Sequence, residues 1–152
     1  MKYLFVLFSI AILTKSCNDS NTEKETVTNA QDDISIQFEA YSRGFYQKIN
    51  ITKERFSLTK VRNGEVSIQQ EMSVEDWNEI VKLLDKIDSE KLKRNYVNPD
   101  DLARDAVIPA NLVISYKENV VKNVEFGLGN EPKPLKALIT KIEAMANAVD
   151  KP

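Results

Sequence analysis

The chain has 152 residues, 42% hydrophobic and 29% charged, which is the composition of one globular domain and not of a disordered chain. Its formal net charge of -2 offers neither the basic face that nucleic acid needs nor a polybasic patch for anionic lipid. One cysteine and no histidine exclude an internal disulfide, serine–histidine and cysteine–histidine catalysis and histidine-ligated metals, so no cofactor is expected.

Lys2 gives the amino terminus a positive start, and Tyr3 to Leu13 form an apolar run of signal-peptide length. That run is too short for a spanning helix, which needs ~20 apolar residues. Small Ser16 precedes Cys17, and polar Asn18, Asp19 and Ser20 follow. This arrangement resembles the bacterial lipoprotein signal, in which lipid is attached to the cysteine thiol and the leader is cut away. The common pattern has Leu three places before the cysteine. Here Thr14, Lys15 and Ser16 fill the three places and Leu13 stands one further out. The resemblance implies a signal peptide over 1–16, lipid on Cys17 and attachment to a membrane of the cell envelope. Several acyl chains, at ~0.8 kcal/mol per buried methylene, make such an anchor stable. Loss of Lys2 and Lys15 with the leader would leave the mature chain near -4.

Residues 17–32 carry almost no apolar side chains and cannot offset the entropy of ordering. They read as a flexible tether that lets a domain over 33–150 stand off a bilayer by roughly 20 Å.

Ile34, Ile36, Phe38 and Ala40 alternate with polar residues, the pattern of a half-buried strand. Ser42-Arg43-Gly44 breaks it, and Phe45, Gln47, Ile49 and Ile51 share one face of a second strand. Thr52 to Arg55 make a turn, and Phe56 and Leu58 lead a third strand to Val61. Asn63-Gly64 signals a two-residue type I′ hairpin, since both residues tolerate positive φ. That register sets Arg62 opposite Glu65 and Val61 opposite Val66, with a fourth strand from Val66 to about Glu71.

The period then changes. Trp77, Ile80, Val81, Leu84 and Ile87 recur at helical spacing and predict a helix over 74–88, with one more turn allowed to Leu92. Ser73 is its N-cap, Asp76 favours the positive end of the dipole, and Met72 with Trp77 fits a hydrophobic staple. Asn98 to Asp101 is turn-like and Pro109 breaks the chain again. Leu112, Ile114 and Tyr116 start a fifth strand, Glu118-Asn119 turns it, and Val124, Phe126 and Leu128 share a face of a sixth. Pro132 and Pro134 suit the first turn of a helix carrying Leu135, Leu138, Ile139, Ile142, Met145 and Val149. The expected fold is α+β: an antiparallel sheet of about six strands, order ββββαββα, with both helices on one face and Trp77 and Phe126 central to the core.

Few residues point to chemistry. Asp100, Asp101 and Asp105 cluster near Arg104, but the spacing lacks the glycine and terminal glutamate of an EF-hand, and a solvated loop explains them better than calcium does. Arg43, Phe45 and Tyr46 lie in a strand-end loop, and Arg62 and Asn63 at a hairpin tip. Loops carried on a rigid sheet are where partners bind, so these five are the candidate partner-binding residues, although a turn served by Gly44 with Phe45 or Tyr46 packed in the core explains the first loop better.

Ser42-Arg43-Gly44-Phe45-Tyr46-Gln47-Lys48-Ile49, together with Phe126-Gly127-Leu128-Gly129-Asn130-Glu131-Pro132 through Ile142, resembles a family of small, functionally uncharacterised bacterial lipoproteins. The resemblance supports the domain boundaries and the anchoring and implies no activity. The expected function is therefore a lipid-anchored, non-catalytic binding or accessory module of the cell envelope with a protein partner. The alternatives are an inhibitor of a secreted hydrolase, inserting the Arg43 and Arg62 loops, and a carboxylate-based envelope hydrolase.

Overall fold

The structure, a computed structural model, describes residues 33–66, 68–100, 107–117 and 119–150. Cys17, the leader and the tether lie outside the described residues. So do Asp101, Arg104 and Asp105.

Alternation of apolar and polar residues produces six strands: β1 (Ile34–Tyr41), β2 (Tyr46–Ile51), β3 (Arg55–Thr59), β4 (Ile68–Glu71), β5 (Pro109–Tyr116) and β6 (Asn119–Gly127). They form one antiparallel sheet in the order β4-β3-β2-β1-β5-β6. The first four strands meander outward from β1 to one edge. The chain then returns through helix α1 (Val74–Leu84) to the other side of β1, and helix α2 (Lys133–Val149) closes the domain. This is the α+β arrangement expected from the sequence.

The period-2 pattern sorts the sheet into two faces. Ile36, Phe38 and Ala40 of β1, Ile49 and Ile51 of β2, Phe56 and Leu58 of β3, Leu112 of β5, and Val124 and Phe126 of β6 are all buried. They meet Trp77, Ile80 and Val81 of α1 and Leu135, Leu138, Ile139 and Ile142 of α2 in one core. The Phe38 and Phe126 rings stack with centroids 6.4 Å apart across β5. Both are fully buried, and each such side chain contributes on the order of 1.5–3 kcal/mol relative to an exposed one. Neither α1 nor α2 lies over the opposite face, which carries mostly polar side chains at the intervening positions.

The helix ends follow their sequence signals. Ser73 Oγ accepts a hydrogen bond from the Asp76 amide at 3.0 Å and donates to the Asp76 carboxylate at 2.7 Å. Pro132 caps α2, its carbonyl accepting from Leu135 N–H at 2.8 Å, and Pro134 sits in the first turn where its missing N–H costs nothing. The α1 helix stops at Leu84, earlier than its periodicity suggested, yet Ile87 still packs against the core and Leu92 is buried. Pro109 opens β5 instead of interrupting the chain, as proline can in the first position of a strand. The β5–β6 turn takes Lys117 at φ 48, and Asn119 already belongs to β6.

The connection between β3 and β4 departs from the expected hairpin. Leu58 pairs with Ile68, β3 ends at Thr59 and residues 60–66 lie in a long loop, so the register is one residue away from that of a two-residue turn. The expected register would have set Leu58 opposite Gln69 and turned Ile68 toward water. A one-residue slip reverses which face every side chain occupies, and the apolar Ile68 decides it: in the observed register it packs against the core. Asn63 does adopt positive φ, 57°, but Gly64 does not. Gly64 is required for a different reason, since a Cβ there would lie 2.9 Å from Val61 Cβ and 3.0 Å from the Val61 carbonyl, which accepts the Gly64 N–H.

Candidate functional site

The uncovered face of the sheet is not flat. Residues 94–97 run beside β6, where Tyr96 N–H donates to the Glu125 carbonyl and Glu125 N–H donates to the Arg94 carbonyl, each at 2.8 Å. The Asn95–Glu125 bridge is parallel, so this segment forms a short extra edge to the sheet. On the other side the long β3–β4 loop brings Arg62 back over β1, its guanidinium carbon 4.4 Å from the centre of the Tyr41 ring. Between these two walls the floor is a row of side chains fixed by strand register: Glu39 opposite Asn111, and Asn111 opposite Glu125.

The result is a cleft made of two adjoining cavities. One, of 600 Å³, is lined by Glu39, Tyr41, Arg62, Asn95, Asn111 and Glu125 among others. The other, of 490 Å³, lies toward the strand ends, where Arg43, Val107 and Ile108 join Tyr41 and Arg62. Tyr41, Arg62 and Pro109 belong to both. Each volume falls in the range of roughly 300–1,000 Å³ common for small-ligand sites.

Two electrostatic features mark the site. Burial, and then a hydrogen bond to Glu39, push the Tyr46 phenol above its ordinary 10.0, while the nearby Arg62 charge opposes that shift. Tyr46 therefore stays a neutral donor to Glu39 near neutral pH. Asn111 Oδ1 is buried and has no hydrogen-bond partner, and neither has Asn123 Oδ1 further along the same face. A buried acceptor left in that condition costs about 1–3 kcal/mol.

Of the five candidate residues, Arg43 and Arg62 come together on the cleft although 18 positions separate them in the chain. Tyr46 lies beside it through Glu39. Phe45 packs against the core. Asn63 is exposed at the turn and shapes the loop that carries Arg62. Glu39, Tyr41, Asn111 and Glu125 were not among the candidates, because each looks like an ordinary solvent-facing strand residue until register aligns β1, β5 and β6. Asp100 is not among the residues lining the cleft; its amide donates to Asn98 Oδ1 at 3.1 Å where residues 99–100 turn helical. Among the described residues no group of three or more histidine, cysteine, aspartate or glutamate side chains is arranged to hold a metal ion. Among the same residues, no helix is long and apolar enough to cross a membrane.

Comparison with protein-family models, with curated proteins and with solved structures finds no match to this chain.

Proposed function

We propose that this protein is a lipid-anchored, non-catalytic binding module of the bacterial cell envelope, and that its ligand or partner is held on the uncovered face of the sheet. The observation that carries the binding half of this reading is the cleft over Glu39, Asn111 and Glu125, walled by Arg62 and the 94–97 segment. A sheet whose second face served only to meet water would not need a long loop folded back over it. The anchoring half rests on the sequence around Cys17. The two halves fit together, since a tethered domain with α1 and α2 on one face leaves the cleft on the other available.

Two measurements test it. Cells fed a clickable fatty acid should label the wild-type chain and not Cys17→Ala, and the variant should leave the membrane fraction. A label that persists on Cys17→Ala overturns the anchoring. A photo-crosslinking residue at Tyr41 should then capture a defined envelope component that the same residue at Lys136, exposed on α2, does not. Equal capture from both positions, or none from Tyr41, overturns the assignment of the face.

A further inference from the structure

The cleft carries charges of both signs. Arg43 lines only the strand-end cavity, and Arg62 lines both cavities. Glu39 and Glu125 line the other cavity, on either side of Asn111. Adjacent strands are ~4.8 Å apart, so the two carboxylates rise from backbones roughly 10 Å apart with the asparagine amide midway.

Complementarity follows from the donor and acceptor inventory. Two carboxylates and a buried, unpartnered amide oxygen all accept hydrogen bonds. Their complement is a charged group with several N–H donors, an ammonium. The complement of two guanidiniums is a carboxylate, which the fork of an arginine can meet with paired hydrogen bonds. No hydrogen bond or ion pair joins the Arg43 or the Glu125 side chain to another described residue. Arg62 is already held against Tyr41, so less ordering entropy is lost when it meets an anion.

The spacing restricts the length. Glu39 and Tyr41 are two residues apart on β1, about 7 Å at ~3.4 Å per residue, and Arg62 lies over Tyr41. An ammonium and a carboxylate some 7–10 Å apart are the two ends of an extended peptide of two or three residues. We propose that the cleft binds a short peptide with free termini, its ammonium among Glu39, Asn111 and Glu125 and its carboxylate on Arg62 and Arg43. This rests on the reading of the uncovered face as the binding face and names the ligand class for it.

The test uses the full chain in detergent micelles and trialanine in three forms: free, N-acetylated and C-amidated. Free trialanine should give saturable amide shifts at Tyr41, Asn111 and Glu125, and blocking either end should weaken binding by at least about tenfold. Glu125→Gln should reduce the penalty of N-acetylation, which Glu39 alone then sustains, and keep that of amidation in full. Arg62→Gln should do the reverse. Both substitutions are on exposed or loop positions, and unchanged amide shifts elsewhere report that the fold is kept. Equal binding of all three forms, or no shift with free trialanine at about 10 mM, overturns the proposal. If trialanine fails while the crosslinker at Tyr41 still captures a specific envelope component, the ligand class falls and the binding face stands. If both fail, the reading of the face falls with it.

Discussion

The guanidinium of Arg62 lies 4.4 Å over the ring of Tyr41, and this contact ties the long β3–β4 loop to the end of the central strand β1. Tyr41 is 40% exposed, so water competes for the arginine and the contact should be worth about 0.5–1 kcal/mol. A double-mutant cycle with Arg62→Ala and Tyr41→Leu, read by urea unfolding, should return a coupling of that size. Zero coupling would mean that the loop is held by something other than this pair.

A second tie joins the two helices. Lys141 on α2 donates to Asp76 at 2.8 Å and to Glu79 at 2.5 Å, both on α1, and is itself only 19% exposed. The hydrogen bond from Lys141, and then that from Ser73, hold the Asp76 carboxyl below its ordinary 3.8. The same bonds, to Asp76 first and Glu79 second, raise the Lys141 ammonium above its ordinary 10.5. The signs give a window. The Asp76 contribution is present above pH 3.8 and is lost as acid protonates it below that value. The Lys141 contribution is present below pH 10.5 and is lost as the pH rises beyond it. Lys141→Met should therefore lower stability between these limits by about 0.5–1 kcal/mol, since Asp76 and Glu79 are partly solvated, and should flatten the acid limb of the stability curve. A stability difference from wild type that is unchanged below pH 3 would show that Lys141 acts through packing and not through charge.

The six strands and two helices were legible in the chain because a core with one sheet face and two helical stripes imposes period 2 and period 3.6 on apolar residues. What was not legible depended on contacts distant in sequence. Asn63-Gly64 carries a local hairpin signal, and the burial of Ile68 overrides it. The bridge between Asn95 and Glu125 joins residues with no shared periodicity. The cleft shows the same limit. Arg43 and Arg62 were visible as loop arginines, but Glu39, Asn111 and Glu125 come from three strands, and only the register of β1, β5 and β6 makes them one row.

Gly127, the last residue of β6, lets the 107–109 segment approach closely at the end of the cleft. A Cβ added there would lie 3.2 Å from Val107 Cβ and 3.3 Å from its Cγ1. Alanine gains up to ~1 kcal/mol by restricting the unfolded chain, against an overpacking cost of ~1–3 kcal/mol in a buried site. Gly127→Ala should therefore destabilise by about 1 kcal/mol in urea unfolding. It should also shift the amide resonances of Val107 and Ile108. Val107→Ala in the same chain removes the Cγ contacts and should recover part of the loss; a purely additive pair would show that the close approach is not the cause.

Asn111 and Asn123 offer a comparison within one sheet face. Both are half-buried strand residues whose Oδ1 lacks a partner, but only Asn111 lines the cleft. Replacing a buried amide by valine removes an unsatisfied acceptor and supplies a β-branched side chain suited to a strand. Each of Asn111→Val and Asn123→Val should therefore raise stability by roughly 1 kcal/mol. The two should part on binding: Asn111→Val should abolish the trialanine shifts, and Asn123→Val should leave them intact. Such a split is the expected signature of a polar group kept in place for recognition at some cost in stability. If both variants gain stability and neither changes binding, the Asn111 amide plays no part in recognition, and the ammonium site must be assigned to Glu39 and Glu125 alone.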